Sequence, residues 1–175
     1  MPLRVFPVAG GASYQDDWGF PRAGHAHEGN DLFAPEGTPV LAVDDGRLTF
    51  GTDPIGGSIA VVRATDGVMY YYAHLSRFEG AARSARAGEV IGYVGRTGNA
   101  ASTAPHVHFE MRPGGGARID PFPHLRAAQV RRAPSTGASL LVVPALLIGA
   151  AGLAYWGASK PNEARALARR WGLVT

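Results

Sequence analysis

Short runs of alternating apolar and polar residues fill the first two thirds of the chain, and none of them keeps a helical period for long. Residues 38–50 read as two strands joined at Asp45-Gly46, a dipeptide suited to a tight hairpin. Residues 59–63 and 68–75 continue the pattern with Asp66-Gly67 between them, and they are expected to be antiparallel neighbours. Residues 76–89 are rich in Ala, Arg and Gly and predict a loop with at most a helical turn. A short strand follows over 89–95, and residues 106–112 predict a central strand. Many short strands broken by Gly and Pro argue a mainly β fold, an antiparallel domain across residues 5–125.

After Arg126 the pattern changes. Residues 1–126 form the expected β domain, and residues 127–137 read as a basic linker carrying Pro, Ser and Gly. Residues 138–158 then run without a charge for 21 positions, close to the ~20 that carry a helix across a bilayer. Tyr155 and Trp156 fall where an interfacial aromatic belt would lie, so the run is expected to be a transmembrane helix rather than a buried core helix. Residues 159–175 predict a short basic amphipathic tail, with Arg165, Arg169, Arg170 and Trp171 available to a membrane surface. Arg131 and Arg132 precede the span and Lys160, Arg165, Arg169 and Arg170 follow it, a bias that favours a cytoplasmic tail with the β domain outside. The first residues lack a sustained apolar stretch and a small-residue cleavage site, so no secretory signal peptide is expected.

Composition narrows the partners. Apolar residues make up 46% and charged residues 18%, which excludes a disordered chain. A net charge of +3 and a pI of 9.6 suit an anionic surface such as a cell wall or an acidic lipid. Basic tracts interleaved with aromatics are missing from the β region, which argues against nucleic acid. There is no Cys, so any metal site must be built from His, Asp and Glu.

The candidate chemistry sits in three places. His106-Val107-His108 lies in the predicted central strand, where residues two apart project to one face, so both imidazoles enter one site. His25, His27 and Asp31 lie on an earlier segment whose Gly29 and Asn30 predict a strand end or tight turn. His74 lies between the two. A catalytic zinc takes three protein ligands and keeps one position open, and remaining histidines can move protons or hold an oxyanion. Glu28 and Glu110 are expected to support ligands or to be structural rather than to act as bases, and His124 to be structural.

His27-x-x-x-Asp31, Tyr72-Ala73-His74-Leu75-Ser76, Thr97-Gly98-Asn99 and His106-Val107-His108-Phe109-Glu110 together resemble the signature of the lysostaphin-type (LytM-like) zinc endopeptidases, which cut peptides of bacterial peptidoglycan. Ala34-Pro35-Glu36-Gly37-Thr38-Pro39-Val40 and Ile119-Asp120-Pro121 are similar to framework segments of that family. The resemblance implies a compact antiparallel β-sheet domain with a duplicated hybrid motif and the site in a groove. It implies His27, Asp31 and His108 as ligands of Zn2+, and His74 and His106 as the catalytic pair, one deprotonating the attacking water and the other stabilising the tetrahedral intermediate. Two features depart from the family: the loop 98–105 is long, and Ala104 stands where Gly is frequent. The chain also shows no segment that would supply a fourth, inhibitory ligand, so an open site is expected. The function expected is a zinc endopeptidase acting on peptidoglycan, anchored in the membrane of the cell envelope or of a phage virion; the alternative is a non-catalytic module that binds wall or regulates a hydrolase.

Overall fold

The structure, a computed structural model, describes residues 2–22 and 24–132. Among the described residues nine strands are formed: β1 (Asn30–Phe33), β2 (Pro39–Leu41), β3 (Gly46–Asp53), β4 (Gly57–Ala64), β5 (Met69–Leu75), β6 (Arg77–Phe78), β7 (Arg83–Ala85), β8 (Val90–Tyr93) and β9 (His106–Arg112). One α-helix follows, α1 (Phe122–Arg132). The strands make a six-stranded sheet in the order β1-β9-β5-β4-β3-β7 and a three-stranded sheet in the order β2-β8-β6, with every pairing antiparallel. One apolar cluster runs through both sheets, taking Val40 and Ile91 from the small sheet and Leu48, Val62, Tyr72 and Phe109 from the large one. Burying such side chains supplies about 1.5–3 kcal/mol each relative to exposure.

The mainly β architecture agrees with the sequence reading, as does the hairpin of β4 and β5. There Gly67 turns the chain at φ 87°, and the Ala64 amide donates to the Val68 carbonyl. The hairpin expected at Asp45-Gly46 does not form, because β2 and β3 belong to different sheets. Gly46 is needed for close approach rather than for turning, since a Cβ there would meet the Arg63 carbonyl oxygen at 2.4 Å. The Asp45 carboxylate accepts from the Ala87 amide at 2.7 Å and pairs with Arg4, while Ala42 bonds to Glu89 and Gly88 back to Ala42. Those bonds lead the chain from one sheet to the other.

Two strands appear where a loop is expected. β6 pairs with β8, and β7 pairs with β3. Both are short and Arg-bearing, so they show no alternating pattern. Their arginines bind locally: Arg77 stacks on the Tyr93 ring at 3.3 Å, and Arg83 reaches Glu89 at 2.7 Å.

α1 begins where the Asp120 carboxylate accepts from the Phe122 amide, and it buries Leu125 and Ala128. It continues through 127–132, residues the sequence reading gave to the linker; Ala127, Ala128 and Gln129 are good helix formers. The span expected over 138–158 and the tail over 159–175 lie outside the described residues. Among the described residues no helix is long and apolar enough to cross a membrane.

Candidate metal centre

β9 separates its residues by face. Val107, Phe109 and Met111 are fully buried in the core, so His106, His108 and Glu110 project together from the other side. β1 pairs with β9 so that Asp31 lies opposite His108 and Phe33 opposite His106. His27 arrives just before β1, from a segment held by the Gly19, Phe20 and His27 backbone bonds.

Three atoms converge there. His27 Nε2 lies 2.9 Å from His108 Nδ1 and 3.1 Å from Asp31 Oδ1, and His108 Nδ1 lies 3.0 Å from the same oxygen. His27, Asp31 and His108 form the one group of three or more such residues, among those described, that could hold a metal ion. The outer nitrogen of each imidazole is already engaged. His27 Nδ1 donates to the Asp17 carbonyl at 3.0 Å and lies 3.3 Å from its carboxylate, and His108 Nε2 donates to Glu110 Oε1 at 3.1 Å. In the neutral rings, therefore, both inward nitrogens present lone pairs, facing each other and an anionic oxygen. Such a trio is stable only around a cation. Two nitrogens and one carboxylate oxygen are a donor set that zinc accepts, and their separations come within a few tenths of the edge of about 3.3 Å expected for tetrahedral bonds of 2.0–2.1 Å.

Without a metal, protons supply the positive charge. Burial pulls His27 down, but hydrogen bonds to Asp17 and Asp31 outweigh it and raise the imidazole to about 9. His108 moves upward for the same kind of reason: burial opposes, and Asp31 and Glu110 prevail. Burial works against ionised Asp31, yet His108 and His27 hold it well below the usual carboxylate range. A metal binding here takes the place of those protons.

The two remaining histidines stand beside the trio. His106 Nδ1 donates to the Ala104 carbonyl at 2.9 Å, which leaves Nε2 as the lone-pair nitrogen, 3.9 Å from Asp31 Oδ1. The unusual Ala104 thus contributes its carbonyl, a group that does not depend on its side chain. His74 Nδ1 donates to the Thr97 carbonyl at 2.9 Å. Burial and the neighbouring His106 lower His74 to about 4, so it is neutral at pH 7 and able to accept a proton.

His74 reaches this face through a break in β5. The pairing of β4 with β5 shifts between Ser58 and Ala60, and His74 carries φ 65°, the one positive φ outside glycine among the described residues. Regular alternation would send His74 into the core with Tyr70 and Tyr72. The extra residue reverses the phase and brings its ring 4.9 Å from that of His106. The Gly56 carbonyl accepts from the His74 amide at 2.7 Å, and Thr97 Oγ1 binds the Leu75 carbonyl, so the turn 53–57 and the loop from Thr97 hold this conformation.

All five residues singled out in the sequence, His27, Asp31, His74, His106 and His108, therefore occupy one place. His25 is exposed in the turn before His27 and is not part of the trio, and Glu28 pairs with Arg118 at 2.8 Å. The sequence reading missed Asp17, which backs His27 and is itself bonded by Asn30, and Arg22, which donates to Asp31 Oδ2 at 2.7 Å. Neither belongs to a periodic segment, so only the folded chain shows their proximity.

Comparison with known proteins adds a lineage. Residues 25–121 match the sequence description of peptidase family M23. The DD-carboxypeptidase/endopeptidase Mpg of Neisseria meningitidis is 49% identical over 90 residues, covering 51% of this chain and 20% of that protein. The L-Ala–D-Glu endopeptidase of Bacillus subtilis is 33% identical over 136 residues, covering 69% of this chain and 42% of that protein. The crystallised catalytic domain of lysostaphin from Staphylococcus simulans superposes with a TM-score of 0.58 at 31% identity, covering 66% of this chain and 92% of that one. The chain thus spans less than half the length of either curated relative.

Proposed function

The chain belongs to peptidase family M23, and from that premise we propose that it is a zinc-dependent endopeptidase that hydrolyses peptide bonds in bacterial peptidoglycan. The observation that carries the reading is the trio of inward-facing donor atoms with two further histidines, His74 and His106, beside it. His27 Nε2, Asp31 Oδ1 and His108 Nδ1 would hold the zinc, which when bound supplies Lewis acidity and lowers the pKa of a coordinated water. His74 is neutral and its Nε2 is positioned to accept a proton from the attacking water. His106 is oriented by Ala104 and, once its Nε2 carries a proton, would donate to the oxyanion, while the proton that His74 takes from the water would pass to the leaving amine. A non-catalytic module has no need of all five groups in this arrangement. Relatives named for DD-, L-Ala–D-Glu and glycyl-glycine bonds support the wall as substrate class and differ in the bond they cut.

Anchoring is a separate part of the proposal. The uncharged run 138–158 supports a membrane helix that keeps the peptidase close to the wall, at the cell envelope or on a membrane-bearing virion.

The test is release of new amino groups from purified cell walls, with zinc content measured on each protein. The wild type should release amines and hold one zinc. His108→Ala should lose both, whereas His106→Ala should keep zinc and lose at least a hundredfold in turnover. A wild type that releases none, or His108→Ala releasing as much, rules the reading out.

A further inference from the structure

The face that carries the donor atoms continues past them onto β1. Phe33, His106 and His74 fall in one row across β1, β9 and β5, with ring centroids 5.1 Å apart for Phe33 and His106 and 4.9 Å for His106 and His74. Phe33 is paired directly opposite His106 and shares the face of Asp31, two residues before it. Its exposure differs from that of its neighbours in the row. His74 and His106 are each 6% exposed, and Phe33 is 40% exposed.

The core does not require this ring, because Leu32 beside it is fully buried and anchors β1. Phe33 leans one side on His106, its ring tilted by 37°, and leaves much of its remaining surface to water. Other large apolar side chains are exposed, namely Phe20, Ile55 and Val130, but among the described residues Phe33 is the one in ring contact with a member of the site. A peptide that reaches His106 from the β1 side has to pass over it.

Resting on the peptidase reading above, we propose that Phe33 is the floor of a substrate subsite that receives an apolar group of the peptide next to the scissile bond. The occupant follows from chemistry. A ring face takes up methyl and methylene groups by apolar burial and offers no donor to a carboxylate. Arg22, a cation close to the site, is occupied by Asp31 at 2.7 Å, so a carboxylate over Phe33 would lose its water without gaining a partner. The subsite also covers one side of His106, and a bound peptide would bury both rings together. Phe33 thus contributes to substrate affinity rather than to proton transfer.

The test uses the full chain with zinc and a soluble wall-derived peptide, and it separates KM from kcat. Phe33→Ala should raise KM about tenfold with kcat within about threefold, and Phe33→Tyr, which keeps the ring, should stay near the wild type. An unchanged KM overturns the proposal. A fall in kcat with KM held would make Phe33 a prop for His106 and overturn it equally. Thermal melts check folding, and Phe33→Leu replaces Phe33→Ala if the latter does not fold. Should the wild type release no amines from walls, the peptidase reading fails by itself. Cosedimentation of the metal-stripped proteins with walls then still reads the subsite: binding by Phe33→Ala about tenfold weaker supports it, and equal binding refutes it.

Discussion

His27 presents one nitrogen inward and spends the other on Asp17, whose carboxylate is held in turn by Asn30 and lies near Arg22. A carboxylate behind a ligating imidazole fixes its tautomer and raises its basicity, and losing it typically costs 10–100-fold in metal affinity. Asp17→Asn should therefore weaken zinc binding about tenfold in competition with a chromophoric chelator, with His27 unaltered. Unchanged affinity would show that the Asp17 backbone carbonyl alone is sufficient. Glu110 plays the same part for His108, and because Arg112 and Arg118 both bind it, that side is the better braced. His74 gives a pH effect of definite sign. Its folded value, about 4, lies below the ordinary 6.5, so between those limits the unfolded chain binds more protons and stability falls with falling pH. From pH 7 to 5 the metal-free wild type should lose about 2 kcal/mol more than His74→Asn in urea unfolding. Equal losses would show that His74 is protonated in the folded state.

β5 is the element on which the site depends most, because its bulge turns His74 from the core face to the metal face. The positive φ is tolerable for Gly and Asn and costly for a β-branched residue. His74→Gly and His74→Asn should consequently melt at or above the wild-type temperature, and His74→Val should be at least 1–2 kcal/mol less stable, with all three inactive. Similar stability for Val and Asn would mean that the left-handed conformation belongs to His74 alone. The same element marks the limit of what the sequence discloses. Runs of β-forming residues, Val68-Met69-Tyr70-Tyr71-Tyr72 and Val107 to Phe109, are enough to identify β5 and β9. The His106-Val107-His108 spacing was enough to place both imidazoles on one face. The reversal at His74 was not legible, because its causes, the Gly56 carbonyl and Thr97, lie 18 and 23 residues away. Asp45-Gly46 misled for a related reason: the local signal is that of a turn, but Gly46 answers to the Arg63 backbone packed against it. Asp17, Arg22 and Phe33 escaped notice because each matters through a partner that only tertiary pairing supplies.

For the whole molecule, the question is how a domain complete in its donor atoms relates to the apolar run that follows it in sequence. The trio and the two histidines beside it all lie among the described residues before 133, so on the proposed reading cleavage of a soluble peptide would need nothing from residues 138–158. Access to an insoluble wall is a different matter. If the run anchors the chain as proposed, confinement to a membrane would raise the local concentration of the proposed peptidase at the wall, and the net charge of +3 would add an attraction to acidic lipid that salt screens. An arginine at the centre of a spanning helix costs about 2.5–3.5 kcal/mol. Leu146→Arg combined with Leu147→Arg should therefore abolish flotation of the full chain with anionic vesicles, while hydrolysis of a soluble wall peptide stays within about twofold of the wild type. Equal flotation by both proteins would show that the run does not anchor the chain. Lost hydrolysis together with lost flotation would show that residues 138–158 support the peptidase itself, and anchoring and catalysis would then no longer be separable functions of the two parts of the chain.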